Sequence, residues 1–378
     1  MKLTEGYYKT TIAGVPYLLS YGQESAQNGI SLRLNRTASL LWDGLCEGAG
    51  EPQLLHLLAR EFEADEEDFP LLQQDIQQFL QQLCALGILS MTSCEPAVNT
   101  PTQYFRIGPV TIAYTGAPFI YDTYFSAFSC PKAPVDLSIS IVPHIPFHKT
   151  NGTILVRTQE LTICDAKDRY LFLFPEKWGI SEMHVAKNGS WATLFCYSDT
   201  DAHAEEIFHA LRFAFLVAAQ KHDLLVIHSA SLLYQNQAWL FSGCSGTGKS
   251  THTNLWHSEF GSKLLNGDLN MIGMQNGIPV VYGLPWCGTS EIFTARDYPL
   301  GGIVFLKQST QNHVAIPSSD QKTLLLLQRL ISPSWTRELN EKNLRLAEQV
   351  SGKTKIFTLA CTKEPQAAHI MRKAIDSL

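Results

Sequence analysis

The chain has 378 residues, 45% of them hydrophobic and 17% charged, with 29 lysines and arginines against 35 acids for a formal charge of −6. That length allows two or three domains at about 150 residues each, and the composition is that of a folded chain. The acidic balance gives no general attraction to nucleic acid or to an anionic membrane. No run approaches the roughly 18 apolar residues that span a bilayer; the longest candidate, 211–219, is broken by Arg212. The opening MKLTEGYYKT lacks the apolar stretch of a signal peptide. Nine cysteines are scattered without a CxxC pair, which suits reduced thiols rather than a disulfide frame or a zinc site. The cytoplasm is the expected compartment, and the sequons at Asn35, Asn151 and Asn188 are chance matches.

Residues 1–92 read as a small unit. Strands are expected over 15–21 and 30–34, punctuated by Gly14, Gly22 and Gly29. Helices follow over 37–45 and 52–62, the second opened by Pro52 and striped by Leu54, Leu55, Leu58 and Phe62. The clearest helix carries Leu72, Ile76, Phe79, Leu80, Leu83 and Leu86 on one face and is stopped by Gly87. Its opposite face is glutamine-rich: Gln73, Gln74, Gln77, Gln78, Gln81 and Gln82. Two prolines and weak periodicity mark 93–103 as a linker. From there to about 200, short apolar runs at 104–114, 135–142, 152–156, 170–174 and 191–197 predict a strand-rich region. An amphipathic helix is expected over 201–220, then strands at 224–233 and 238–241.

The second of those strands leads into Gly243-Cys244-Ser245-Gly246-Thr247-Gly248-Lys249-Ser250, a full match to G-x-x-x-x-G-K-[ST]. The glycines let the backbone curl and aim its N–H groups at phosphate oxygens. Lys249 supplies a point charge for the β- and γ-phosphates and Ser250 a hydroxyl for Mg²⁺. A helix expected over 251–259, starting near Lys249 and Thr251, adds its positive dipole end. These residues, 243–251, are the expected ATP site. Asp268, eighteen residues past Ser250, is the candidate acid for the metal beside Ser250, although Asn266-Gly267-Asp268 is also ordinary turn chemistry. His228, at the end of a strand, and His252, just inside the helix, are candidates for the same space. Glu291 and Arg296 are candidate extra charges, each equally readable as half of a surface ion pair.

His228-Ser-Ala-Ser, GCSGTGKS and Asn266-Gly-Asp268, in that order and spacing, resemble the nucleotide-binding core of HPr serine kinases and phosphoenolpyruvate carboxykinases. The longer strings SGCSGTGKSTHTNLW, LNGD, GLPWCG and PLGGIVFLKQS are similar to bacterial kinase-like proteins found with ribosomally made peptides. The start resembles another family. Leu34-Asn-Arg-Thr-Ala-Ser-Leu-Leu-Trp42, two amphipathic helices and Leu86-Gly-Ile-Leu89 look like PqqD-type peptide-recognition elements. That resemblance implies a small sheet with three helices, holding a precursor's leader by adding it as a strand to a sheet edge. A winged-helix DNA binder is the alternative. The third helix lacks a Lys/Arg stripe, however, and Glu61, Glu63, Asp65, Glu66, Glu67 and Asp68 would repel phosphate.

The expectation is therefore an α/β protein, α+β overall. It has a winged-helix-like PqqD-type unit over 1–92, a linker over 93–103, and an HPr kinase/PEP carboxykinase-like P-loop domain with a strand-rich subdomain over 104–378. The resemblance implies an ATP- and Mg²⁺-dependent kinase for a Ser or Thr of a precursor peptide or small protein, with Lys249, Asp268 and His228 in catalysis. Two positions depart from the pattern. Gly267 stands where the first aspartate of a pair is usual, so Asp268 serves both roles, or His228 supplies the base, or transfer is lost. Thr289 stands where related sequences carry lysine. Loss of transfer would leave a nucleotide-binding carrier that presents the precursor to a neighbouring modifying enzyme. A small-molecule kinase or carboxykinase-like lyase would give residues 1–92 no task.

Overall fold

The computed structural model describes residues 2–22, 25, 31–86, 88–90, 101–142, 152–175, 178–196 and 200–377. Most of the expected linker, 93–100, and Gly87 lie outside the described residues. The chain forms two compact units, Met1–Val98 with Val142–Asn151 and Phe195–Ser198, and the remainder. No helix among the described residues is long and apolar enough to cross a membrane.

In the first unit, β2 (Tyr7–Ile12), β3 (Val15–Ser20) and β4 (Ser31–Arg33) form an antiparallel sheet in that order, so β2 and β4 are its outer strands. Strand β1 (Lys2–Leu3) pairs instead with β5 (Leu89–Ser90), tying the two ends of the unit together. Three helices lie between: α1 (Arg36–Cys46), α2 (Glu51–Glu61) and α3 (Phe69–Ala85). Asn35 opens α1, its side chain accepting from Ala38 N–H at 2.7 Å. The apolar stripes meet in one core of Leu18, Leu41, Trp42, Leu54, Leu58, Ile76, Phe79 and Leu83. Gln73, Gln74, Gln77, Gln78 and Gln82 face outward from α3, as the periodicity predicts. Strand β2 was not expected: its polar, Thr-rich sequence shows little apolar alternation, and pairing with β3, with Tyr7 alone entering the core, holds it.

The second unit begins with an eight-stranded sheet ordered β6 (Gln103–Ile107), β7 (Val110–Thr115), β8 (Leu137–Val142), β13 (Trp191–Cys196), β12 (Ile180–Ala186), β11 (Arg169–Leu173), β10 (Thr162–Ala166) and β9 (Thr153–Arg157). A short helix, α4 (Pro118–Tyr124), interrupts the strands. Helix α5 (Ala204–Lys221) starts three residues later than the sequence suggests and buries Ile207, Phe208, Leu211, Ala214 and Phe215. Next come β14 (Leu225–Tyr234), β15 (Gln237–Ser242), helix α6 (Lys249–Phe260), β16 (Lys263–Asn266), β17 (Leu269–Gln275), β18 (Ile278–Tyr282) and β19 (Tyr298–Gln308). Strand pairings run β15–β14–β17–β18–β19 and close with a parallel β15–β19 pair. Strand β21 (Lys355–Cys361) lies parallel to β19, and β20 (His313–Ala315) pairs with β21 at the edge. Helices α7 (Ser319–Leu327), α8 (Arg337–Ser351) and α9 (Pro365–Asp376) complete the unit. The near-continuous apolar sequences of β14, β15 and β19 fit strands buried on both faces, which supply two cores.

Candidate functional site

Residues 243–248 form the connection between β15 and α6, and Lys249, Ser250 and Thr251 make the first helical turn. Gly248 caps that helix at φ 98°, a left-handed conformation that suits glycine and would strain a larger residue. Internal bonds hold the loop: Thr247 Oγ1 donates to the Cys244 carbonyl at 2.7 Å, and Gln308 Nε2, at the end of β19, donates to the Gly246 carbonyl at 2.9 Å. Cys244, Ser245 and Gly246 are exposed. Curled backbone, helix N-terminus and lysine are thus assembled on one rigid strand end.

Asp268 stands on the turn between β16 and β17, and both of those strands pair with β14 rather than with the loop's own strand. The turn is built by Asn266, which is buried. Its side-chain Oδ1 accepts from Asp268 N–H at 3.0 Å and Leu269 N–H at 3.1 Å, while its Nδ2 donates to the Leu284 carbonyl at 3.1 Å. One side chain therefore fixes Asp268 and fastens it to the 284–290 segment. Asn266→Ala would strand two backbone donors, so a loss of about 1–3 kcal/mol of stability is expected in chemical denaturation. A parallel loss of any activity that needs Asp268 should accompany it.

His228 and Asp268 meet directly, Nε2 at 3.0 Å from Oδ1. The hydrogen bond from His228 holds the Asp268 carboxyl below its ordinary value; burial opposes it, and the positive charges of Arg212 and Lys249 reinforce it. Asp268 is an ionised carboxylate at neutral pH. Lys249 is half-buried, and its ammonium makes neither a hydrogen bond nor an ion pair among the described residues. Burial draws its pKa down, Asp268 draws it up, and neighbouring Arg329 draws it down again. Lys249 and Asp268 thus feel each other's charge without touching.

Arg329 was not singled out in the sequence. Its backbone extends β14 locally: His228 N–H donates to the Arg329 carbonyl at 2.9 Å and Ile331 N–H to the Val226 carbonyl at 2.9 Å. Its Nη2 donates to Cys244 Sγ at 3.0 Å, which sets a second cation against the loop. Arg212 is the other residue missed. It lies on α5, half-buried, and Asp268 is the first of its electrostatic partners.

His252 does not join this group. It is buried at 2% exposure on α6 and turns toward the Thr362 backbone. Glu291 and Arg296 are exposed on the segment after the 284–290 turn and form no ion pair among the described residues. Thr289 lies in the short helical turn Gly288–Ser290. At Gly267 the structure supplies a physical reason for the missing acid. A Cβ there would fall 1.9 Å from Ser290 Oγ and 2.5 Å from Ser290 Cβ. The space for a side chain at 267 is already filled.

The second unit is thus a mixed α/β body carrying a glycine-rich strand-to-helix loop opposite a His–Asp pair. In the first unit, residues 19–89 match the family described as Coenzyme PQQ synthesis protein D (PqqD). Among curated proteins none matches the chain. Two solved structures share small similarities. One is TbiB1 in complex with the TbiA(beta) leader peptide, at 22% identity and TM-score 0.21, covering 25% of this chain and 100% of that one. The other is the Hpr(Ser) kinase/phosphatase from Coxiella burnetii, at 9% identity and TM-score 0.23, covering 40% of this chain and 98% of that one.

Proposed function

We propose that the chain is an ATP- and Mg²⁺-dependent kinase acting on a Ser or Thr of a ribosomally made precursor peptide or small protein, whose leader is held by residues 1–92. The observation that carries this reading is the ionised Asp268, bonded to His228, standing within electrostatic reach of a Lys249 whose ammonium has no hydrogen-bond or ion-pair partner among the described residues. A lysine kept uncompensated beside a curled glycine loop is suited to a polyanion. Phosphoryl transfer asks a protein mainly to position the phosphate, neutralise its charge and orient a hydroxyl.

In the proposed reaction the acceptor hydroxyl oxygen forms a bond to the γ-phosphorus, the bond to the β–γ bridging oxygen breaks, and ADP leaves. The hydroxyl proton passes to the His228–Asp268 pair. Residues 243–251 hold the nucleotide. Among the described residues no three or more His, Cys, Asp or Glu side chains are grouped to hold a metal ion. Mg²⁺ is commonly held by one or two carboxylates together with nucleotide phosphates, and Ser250 and Asp268 supply a hydroxyl and an ionised carboxylate of that kind. Bound there, it would neutralise phosphate charge.

The PqqD match supports leader binding by the first unit. The outer strands β2 and β4 offer edges for an added strand, and the uncharged glutamine face of α3 offers hydrogen bonds without attracting phosphate. Tethering the leader raises the local concentration of the core peptide at the second unit. The purified chain, incubated with ATP, Mg²⁺ and a precursor peptide whose leader it binds, is expected to add one phosphate by mass. An unmodified precursor, with ATP binding intact, would sink the kinase reading.

The filled space at Gly267 favours a second reading, a nucleotide-responsive carrier that presents the precursor to another enzyme. Under it, Asp268→Asn leaves maturation intact while Lys249→Ala alters peptide affinity.

A further inference from the structure

We propose that a concavity of the second unit, away from the glycine loop, binds a primary ammonium on an aliphatic chain, free or as a lysine side chain, with Asp297 and Tyr282 holding the charge. The concavity has a volume of about 520 Å³, within the range of small-molecule sites. Its lining comes from the second unit alone. Met274, near the far end of β17, belongs to that lining, which puts it about 20 Å from Asp268 at roughly 3.3 Å per residue. Tyr282 is its buried polar member, at 9% exposure. Gly108 and Gly273 make room for the ring: a Cβ at the first would fall 2.8 Å from Tyr282 Cγ, and at the second 2.9 Å from Cε2. The Tyr282 hydroxyl makes no hydrogen bond among the described residues and opens on the concavity that the ring lines. Burial, and then the charge of Asp297, hold the phenol above its ordinary value, so it is a neutral hydroxyl.

Asp297 stands beside it. Val281 pairs with Tyr298 across β18 and β19, which brings Tyr282 alongside Asp297, and Gly283 N–H donates to Asp297 Oδ1 at 3.2 Å. That bond leaves the charge uncompensated, because Asp297 forms no ion pair among the described residues. The residue is exposed at the rim, yet the walls desolvate its carboxyl enough to raise it above the ordinary value, with Gly283 N–H opposing. The other charged groups of the lining are already matched: Asp223 meets Lys342 at 2.9 Å, and His222 meets Asp136 at 3.6 Å. One unmatched carboxylate next to one unbonded hydroxyl suits an ammonium, which donates to both oxygens. A metal ion fits less well, since among the described residues no three His, Cys, Asp or Glu side chains are grouped to hold one. Pro109, Leu224 and Met274 supply an apolar wall for the aliphatic chain that carries the charge.

The test titrates the full chain with n-butylammonium, n-butanol and n-butyrate and reads binding by ligand-observed NMR. n-Butylammonium is expected to bind about tenfold more tightly than either isostere, the worth of one charged hydrogen-bonded contact. Asp297→Asn keeps an oxygen for Gly283 N–H and should remove that preference. Tyr282→Phe keeps the ring and should weaken n-butylammonium by about three- to tenfold, one neutral hydrogen bond. ATP affinity should stay within about twofold in both variants, because sites this far apart act independently. Gln349→Lys, at an exposed lining position on α8, supplies a competing ammonium without burying anything new, and it should weaken the probe whether or not Asp297→Asn folds. Nα-acetyl-lysine N-methylamide separates the two sources: tighter binding than n-butylammonium points to a lysine side chain, weaker binding to a free amine. No preference for n-butylammonium among the isosteres would overturn the proposal. So would an unchanged affinity in a folded Asp297→Asn or in Gln349→Lys, and so would displacement of the probe by equimolar Mg²⁺ or Ca²⁺, which would mark a metal site. No nucleotide or precursor enters the titration, so the site stands or falls apart from the kinase reading.

Discussion

Lys249→Ala is expected to weaken ATP binding by roughly ten- to a hundredfold while leaving the protein folded and no less stable. The affinity loss follows from removing a charged donor aimed at phosphate, about 1.5–3 kcal/mol. The stability expectation is less usual for a half-buried residue. The Lys249 ammonium spends no hydrogen bond or ion pair on its own protein among the described residues, and it sits within the fields of Asp268 and Arg329. Removing it relieves desolvation, the largest of these effects, and the repulsion from Arg329; the attraction of Asp268 is lost in exchange, and no donor or acceptor is left stranded. Calorimetry with ATP and a thermal melt of the same preparation check both halves. An intact affinity would mean that backbone amides alone carry the phosphate. A melting temperature several degrees lower would mean that the lysine has a structural task not evident from its surroundings.

The division between what was legible and what was not has physical causes. The loop was legible because a chain that curls on glycine and ends on Lys-Ser is a local pattern, and the structure sets it between β15 and α6 as expected. Asp268 was legible by its distance along the chain. The part played by Asn266 was not, since Asn-Gly-Asp reads as turn chemistry and nothing local says that its amide reaches the Leu284 carbonyl. Arg212 was visible only as the residue that breaks an apolar run. A charge inside the buried face of a helix was itself a signal, because such a residue is rarely kept without a partner or a use. Arg329 carried no such signal: it follows a leucine-rich helix, and only its pairing beside His228 brings it to Cys244. His252 shows the converse error. Proximity in sequence to Lys249 suggested a shared space, but three residues along a helix turn the side chain inward.

In the first unit, α1, α2 and α3 were read within three residues of their observed ends because each carries an apolar stripe at helical period. Strand β2 lacked the matching alternation. The β1–β5 pair is only two residues long on each side and joins opposite ends of the unit, a contact that no local pattern announces.

Restoring an aspartate pair should fail, and the failure should be repairable. Gly267→Asp is expected to destabilise the second unit by about 1–3 kcal/mol, the usual cost of overpacking a filled site. The Cβ alone would fall 1.9 Å from Ser290 Oγ. Ser290 cannot simply swing aside: its Oγ donates to the Cys287 carbonyl at 2.6 Å and accepts from Ile292 N–H at 3.3 Å. Gly267 is pinned from its other side by its own N–H to the Ile292 carbonyl at 3.1 Å. Ser290→Gly by itself should cost less, on the order of 1 kcal/mol for the lost hydroxyl bonds. In the double variant the serine Oγ and Cβ are both gone, and the next atom, the Cys287 carbonyl oxygen, is 3.4 Å from the new Cβ. The two changes should therefore be non-additive, the pair being more stable than Gly267→Asp alone. Denaturation midpoints of the three variants decide it. Simple additivity, or a neutral Gly267→Asp, would show that the 284–290 segment yields easily and that steric filling is not why position 267 is glycine. If the pair behaves as expected, its phosphoryl-transfer rate then asks a separate question. A faster double variant would mean that a second carboxylate next to Asp268 still helps this site; an unchanged one would mean that His228 already fills the proton-accepting role.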